Sequence, residues 1–119
     1  MSGILVELLD RAGSVVARHR FDQLPVRIGR AYDNDVIVDD PFVAPSHVQI
    51  ERREDGVLVA RDLGTRNGTH AVAQRRRSLK QGATKPASEI VLMPDTLMRA
   101  GHSTFRVRPI DHAVAAERL

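Results

Sequence analysis

Residues 47–60, His-Val-Gln-Ile-Glu-Arg-Arg-Glu-Asp-Gly-Val-Leu-Val-Ala, decide the fold class of this chain. The first half alternates strictly, which places Val48 and Ile50 on one face of a strand and Gln49 and Glu51 on the other. The Glu-Asp-Gly at 54–56 is a turn signal, and a second apolar run follows it. The stretch therefore predicts two short antiparallel strands joined by a hairpin.

The same pattern continues outward in both directions. Short alternating or apolar runs, each ended by a turn signal, begin near residues 4, 15, 25, 36, 90, 96 and 105, and helical periodicity is nearly absent. About ten short strands in one small domain predict an all-β fold, a sandwich or a barrel. Residues 75–89 have no clear period and indicate a loop with a basic start. Residues 111–119 are helix-like and indicate a tail or the start of a linker, which leaves 1–110 as the domain.

Composition excludes several classes of function. A chain of 119 residues with 42% hydrophobic residues is long enough for one domain with a core, and its net charge of +3 is too small to indicate nucleic acid by itself. The absence of cysteine excludes disulfides, thiolate metal sites and thiol nucleophiles, and fits a reducing, cytoplasmic location. No apolar stretch approaches the roughly 18 residues of a membrane span, so we expect no membrane insertion by this segment.

Four short motifs carry the functional signal. They are Ile28-Gly29-Arg30, the acidic and apolar residues 33–40, Val43-Ala-Pro-Ser-His47, and Asp62-Leu-Gly-Thr-Arg-Asn-Gly-Thr69. In this order and spacing they resemble the forkhead-associated (FHA) domain family, bacterial type, over roughly residues 4–109. The resemblance implies a β-sandwich of about ten to eleven short, mostly antiparallel strands (SMAD/FHA type) whose apical loops bind phosphothreonine peptides.

The resemblance also implies which residues bind. A phosphate of about −2 charge needs an Arg fork and neutral donors on rigid loops, and Arg30 at a strand end matches the fork. Asn67 is expected to bond the peptide backbone. The Thr65 hydroxyl either reaches the phosphate or caps its turn, and Arg66 either adds charge to the site or faces solvent. Residues that support the site are Gly29, His47, Gly68 and Thr69.

One departure from the family pattern weakens this expectation. The position three before the histidine is usually a serine that donates to the phosphate, and here it is Ala44, followed by Pro45. Losing a hydrogen bond to a charged group costs about 1.5–3 kcal/mol. We therefore predict a phosphothreonine-binding interaction module with a weakened phosphate site. The alternative is a phosphorylation-independent scaffold that binds a protein partner with the same loops.

Two further classes of function fit the sequence less well. A nucleic-acid binder would use Arg75, Arg76, Arg77, Lys80 and Lys85, but no aromatic residue is interleaved with that run, as a stacking platform would need. An enzyme is not expected, because Ser46 beside His47 has no Gly-x-Ser-x-Gly elbow and no third triad member. The other histidines lack metal-ligand spacing, so neither a metal nor another cofactor is expected. The expected partner is a protein that carries phosphothreonine from a Ser/Thr kinase, and the tail allows that the chain is one domain of a longer protein.

Overall fold

The structure is a computed structural model that describes residues 2–72 and 88–111. The interior of the predicted basic loop, with Arg75, Arg76, Arg77, Lys80 and Lys85, lies outside the described residues, as do residues 112–119 of the predicted tail. Within the described ranges the chain forms strands and no helix. This confirms the all-β fold class expected from the sequence.

Ten strands follow one another along the described residues. In chain order they are β1 (Ser2–Leu9), β2 (Val15–Phe21), β3 (Val26–Gly29), β4 (Val36–Ile37), β5 (Val48–Arg52), β6 (Leu58–Asp62), β7 (Thr69–Val72), β8 (Glu89–Val91), β9 (Leu97–Ala100) and β10 (Ser103–Asp111). The hairpin predicted from residues 47–60 is present, and β5 pairs with β6 with Ile50 opposite Ala60.

The strands form two five-stranded sheets. The first has the order β2-β1-β10-β9-β7 and is antiparallel throughout. The second has the order β4-β3-β5-β6-β8, in which only the β3–β4 pair is parallel among the described strands. The mostly antiparallel sandwich expected from the sequence is thus confirmed.

The core lies between the two sheets and follows the alternation of the sequence. Val48 and Ile50 are fully buried, as are Ile4 and Val6 of β1, and Phe105 of β10 is the largest of the fully buried side chains. Burying one side chain of this kind stabilises the fold by about 1.5–3 kcal/mol. The core therefore holds the strand ends, and the loops that leave them, in fixed positions.

Three element boundaries differ from the sequence prediction. β7 (Thr69–Val72) follows directly on a turn signal and was not predicted as a separate run; it pairs with β9, far along the chain. Glu89 belongs to β8, although the predicted loop included it, because it pairs with Arg61 of β6. β10 continues through Asp111, the first residue of the predicted tail, because that residue pairs with Ser2.

Candidate functional site

A shallow pocket of about 110 Å³ lies between two loops at one end of the sandwich. One wall is the β4–β5 loop, residues 38–47, and the other is the β6–β7 loop, residues 63–68. Its lining residues are Arg30, Pro41, Phe42, Val43, Ala44, His47, Thr65, Arg66 and Asn67. The pocket thus brings together all five residues that the sequence assigned to phosphopeptide contact.

The imidazole of His47 joins the two walls from below. The ring is fully buried, its Nδ1 lies 2.9 Å from the Ala44 backbone nitrogen, and its Nε2 lies 2.9 Å from the Gly68 carbonyl oxygen. A backbone N–H can only donate, so Nδ1 accepts, and Nε2 carries the proton that it donates to Gly68. Both ring nitrogens are therefore engaged by backbone groups, one from each loop, which leaves neither free to act as a base on a bound molecule.

The β6–β7 loop is organised by Asp62. One carboxylate oxygen, Oδ1, accepts the hydroxyls of Thr65 at 2.6 Å and Thr69 at 2.7 Å, and the other accepts the backbone N–H groups of Gly64 and Thr65. Burial raises the pKa of Asp62, but these hydrogen bonds, those from the threonine hydroxyls first, lower that pKa by more. Asp62 is therefore ionised when it holds the loop.

The hydroxyl of Thr65 makes its hydrogen bonds within its own loop. Its Oγ1 donates to Asp62 and accepts the backbone N–H of Gly68 at 3.0 Å. Its hydroxyl thus caps the turn, which is one of the two roles expected from the sequence. Gly68 has a φ of 77°, in the left-handed region that favours glycine, which explains the second residue of the Asn67-Gly68 turn.

Asn67 itself has no positive φ, so the turn does not use the left-handed backbone that Asn tolerates. Its Nδ2 donates instead to the carbonyl oxygen of Phe42, 2.9 Å away across the pocket. The phenyl ring of Phe42 stacks on the imidazole of His102, with ring centroids 4.1 Å apart. Asn67 therefore connects one wall to the other at the edge of the pocket.

The β4–β5 loop is organised by a second aspartate, Asp40, which is buried. Its Oδ1 accepts the backbone N–H of Phe42, and its Oδ2 accepts the backbone N–H of His102 and the hydroxyl of Ser103 at 2.7 Å. Burial raises the pKa of Asp40, but the bond from Ser103 and the two backbone bonds lower it by more. Asp40 thus fastens this wall to the β9–β10 turn.

Arg30 leaves the end of β3 and reaches over the β4–β5 loop. Its Nε donates to the Val43 carbonyl oxygen at 2.9 Å, and its backbone N–H donates to that of Ala44. Gly29 precedes it at a close approach of two backbones, since a Cβ there would lie 2.3 Å from the Pro45 carbonyl oxygen. A side chain at this position would therefore collide with the β4–β5 loop.

Asn34 is a site residue that the sequence analysis missed. It is buried, and its Nδ2 donates to the carbonyl oxygens of Ala31 at 2.7 Å and Pro45 at 2.6 Å, which holds the β4–β5 loop against the β3–β4 turn. Asp40 was missed in the same way. An Asn or Asp beside a short apolar run is a local turn signal, but nothing nearby in the sequence shows which distant group it bonds.

Two guanidinium groups supply the uncommitted donors of the pocket. Arg30 engages one nitrogen, Nε, and within residues 2–72 and 88–111 the Arg66 side chain has no hydrogen-bond or ion-pair partner. Thr65 and Asn67, by contrast, already donate to protein oxygens. The pocket therefore presents two positive charges and no free hydroxyl, an arrangement suited to a doubly charged anion such as a phosphate ester.

Two other features bear on function. No cluster of three or more metal-ligating side chains occurs among the residues with a described position. The same residues contain no helix that is long and apolar enough to span a bilayer.

Comparison with protein families gives one match. The model of the FHA domain family matches residues 26–93, which is more than half of the chain. Among curated proteins, the oxoglutarate dehydrogenase inhibitor of Corynebacterium diphtheriae is 32% identical over 77 residues, which are 65% of this chain and 52% of that protein. The chain thus spans about half the length of the curated relative that it matches.

Solved structures share the sandwich. The FHA domain of FhaA, solved in complex with the intracellular domain of Rv3910, is 26% identical, with a TM-score of 0.65 over 88% of this chain and 99% of that one. Mycobacterium tuberculosis EmbR, solved with a low-affinity phosphopeptide, is 25% identical, with a TM-score of 0.64 over 87% of this chain and 24% of that one. Residues 26–93, which the family model matches, contain both pocket walls.

Proposed function

The chain belongs to the FHA domain family, and on that premise we propose that its apical pocket binds a phosphothreonine-containing segment of a partner protein. FHA domains are interaction modules, and the proposal treats this chain as a non-catalytic one. The observation that carries it is the convergence of Arg30 and Arg66 on a pocket whose walls are already held by internal hydrogen bonds. Because the walls are preorganised, binding costs little ordering of the loops.

In the proposed mechanism the phosphate lies between the two arginines. Among the described residues the two terminal nitrogens of Arg30 have no partner, so they can make a bidentate contact while Nε remains bonded to Val43. Arg66 adds the second charge from the opposite wall. Thr65 acts by fixing the loop, and Asn67 holds the rim near Phe42, where an extended peptide would pass.

The phosphate site is proposed to be weaker than one with a full set of donors. Ala44 lines the pocket but has no side-chain donor, and its backbone N–H is already bonded to His47. The missing hydroxyl corresponds to about 1.5–3 kcal/mol of lost hydrogen bonding to a charged group.

Matched peptides test the proposal. A phosphothreonine peptide and its unphosphorylated twin are titrated into the full chain, and Arg30→Lys is compared with Arg27→Lys on the outer face of β3. An ammonium cannot make the bidentate contact, so we expect Arg30→Lys to weaken phosphopeptide binding about tenfold or more and Arg27→Lys to leave it unchanged. An unchanged dissociation constant for Arg30→Lys would remove that residue from the site.

The second candidate, a phosphorylation-independent scaffold, has one specific observation in its favour. Two aromatic side chains are exposed in the loops that follow β3 and β4: Phe42 lines the pocket with 48% of its surface exposed, and Tyr32 in the β3–β4 turn is 91% exposed. Aromatic residues of this kind are enriched at the centres of protein interfaces. Equal affinity for the two peptides, combined with loss of binding in Phe42→Ala, would favour this candidate over the first.

The remaining parts of the proposal concern context. The FhaA and EmbR complexes support a protein partner, and the regulatory name of the C. diphtheriae relative fits a chain that acts by binding. Because that relative is about twice as long as the matched segment, we also propose that the chain is one domain of a longer protein. A cytoplasmic location is a further part of the proposal. Nucleic-acid binding by the 75–85 loop stays a minor alternative, and steeply salt-dependent binding of bulk DNA or RNA would favour it.

A further inference from the structure

The outer face of the first sheet carries a cluster of arginines that the apical pocket does not use. Outward positions of β2 and β10, the two strands that flank β1, hold Arg18, Arg20, Arg106 and Arg108. The one carboxylate facing them from β1 is Glu7, opposite Arg18 on one side and Arg106 on the other. This group of five side chains is called the arginine face below.

Glu7 holds three of these arginines in place. Its side chain is buried, and its oxygens lie 3.2 Å from Arg18 Nε, 2.7 Å from Arg106 Nε and 3.3 Å from Arg108 Nε. Each contact is made through Nε. Within residues 2–72 and 88–111, the terminal nitrogens of the three guanidinium groups have no hydrogen-bond partner.

The charges of this cluster are not balanced. Three guanidinium groups around one carboxylate leave a local charge of +2, and the side chains remain accessible, with 64% of the Arg18 surface and 45% of the Arg108 surface exposed. Arg20 adds a further positive charge beside them, although Asp22 lies 3.9 Å from its Nε. One arginine would be enough to neutralise the charge of Glu7. The extra ones are fixed donors that point away from the core.

We propose that the arginine face is a second docking surface, which binds an acidic, extended segment of a partner protein. Arginines two residues apart on one strand are separated by about 6.6–6.8 Å, the distance between side chains two apart in an extended peptide. Carboxylates at alternate positions of such a segment therefore match Arg106 and Arg108, or Arg18 and Arg20, one to one. Because Nε is already anchored, less side-chain entropy is lost on contact.

A protein segment fits this face better than a nucleic acid. No aromatic side chain lies among the outward residues of β1, β2 and β10 in the described part of these strands, so the stacking platform of single-strand binders is missing. Duplex readers insert a helix or a two-stranded ribbon into the major groove, which the face of a five-stranded sheet cannot do. The apolar neighbours Leu5 and Ile110, both half-buried, suit contact with a peptide.

The test compares two double variants of the full chain. Arg18→Gln with Arg108→Gln removes two charges from the arginine face and leaves Arg106 on Glu7. Arg27→Gln with Arg52→Gln removes two charges from the other sheet and is the matched control. The probe is an unphosphorylated peptide of alternating Glu and Thr, and binding is followed by amide chemical shifts and by fluorescence anisotropy at two salt concentrations.

We expect shifts on β2 and β10, and a loss of affinity of about fivefold or more in the first double variant, with less than about twofold in the control. Arg30→Lys should bind the probe as well as the native chain, which separates this surface from the pocket. Absence of binding would overturn the proposal, as would equal losses in both double variants or shifts confined to the pocket loops. If duplex DNA binds more tightly than the peptide and with the same dependence on these arginines, the ligand of the arginine face is a nucleic acid and the proposal of a peptide is wrong.

Discussion

The two walls of the pocket are each organised by one aspartate, but the two carboxylates act over different distances along the chain. Within residues 2–72 and 88–111, the Asp62 side chain accepts hydrogen bonds only from residues 64, 65 and 69, so all of its contacts are local. Asp40 accepts one bond from Phe42 and two from the β9–β10 turn at His102 and Ser103. The first wall is therefore a local structure, and the second depends on a distant hairpin.

This difference has a consequence for function. A disturbance of the β6–β7 loop should stay within that loop, whereas a disturbance of the β4–β5 loop should spread to the β9–β10 hairpin. His47 is the buried connection between them, because its ring bonds Ala44 on one side and Gly68 on the other, and Asn67 adds a second connection at the surface. The following predictions test that picture in order of decreasing effect.

His47→Ala should have the largest effect, because it removes a fully buried ring and leaves backbone groups of both walls without a partner. We expect a loss of about 3–4 kcal/mol in the free energy of unfolding, from the cavity and the lost hydrogen bonds together. Urea denaturation of the native and variant chains measures it. A loss below about 1 kcal/mol would show that His47 does not join the walls.

Asp40→Ala and Asp62→Ala should destabilise the chain by about 2–3 kcal/mol each, through buried donors left unpaired. Their spatial patterns should differ. Amide hydrogen exchange should rise at Phe42 and His102 in the first variant, and at Gly64 and Thr65 only in the second. Identical exchange patterns would contradict the distinction between a local and a distant anchor.

The pH dependence should be smaller than the effect of removing either carboxylate, because a protonated carboxyl keeps some of its hydrogen bonds. The pKa values of Asp40 and Asp62 are lowered in the folded chain, against about 3.9 when unfolded. Their stabilisation is therefore complete above about pH 4 and is lost as the pH falls through the folded values.

Glu7 acts in the same direction. Burial raises its pKa, but hydrogen bonds from Arg106 and Arg18 and the charges of Arg106 and Arg108 lower that pKa by more. We therefore expect the melting temperature, measured between pH 2 and 6, to fall less steeply towards low pH in Asp40→Asn and Asp62→Asn than in the native chain. Protonation of Glu7 should account for the decrease that remains. A decrease as steep as that of the native chain would show that the aspartates are not ionised in the folded state.

Ala44→Ser should have the smallest effect, and it is a gain. The hydroxyl enters the β4–β5 wall where the pocket has no side-chain donor, and should improve phosphopeptide affinity by about 1–2 kcal/mol, or roughly 5- to 30-fold. Isothermal titration with the phosphorylated and unphosphorylated peptides measures it. The gain should be absent with the unphosphorylated peptide and should vanish when Arg30 is also replaced.

A null result for Ala44→Ser would have two explanations, since Pro45 limits where the hydroxyl can reach. A structure of the variant separates them. If the new hydroxyl points between Arg30 and Asn67 and the phosphopeptide still does not bind, the phosphothreonine proposal fails and the phosphorylation-independent scaffold becomes the better account.

Local patterns in the sequence determined the fold class and one wall of the pocket. The alternation around Val48 and Ile50 and the turn signal after it were sufficient for an antiparallel hairpin, since strand faces and tight turns depend on neighbouring residues. The residues that organise the β6–β7 loop, Asp62, Thr65, Gly68 and Thr69, all lie within eight positions, so their motif was visible as one unit.

Only the tertiary structure decided the other wall and the use of each side chain. The contacts from Asp40 to Ser103, from Asn67 to Phe42 and from Glu7 to Arg106 join residues 63, 25 and 99 positions apart. Local propensity says nothing about such pairs, because closing these long loops is favourable only once the whole sandwich core is buried.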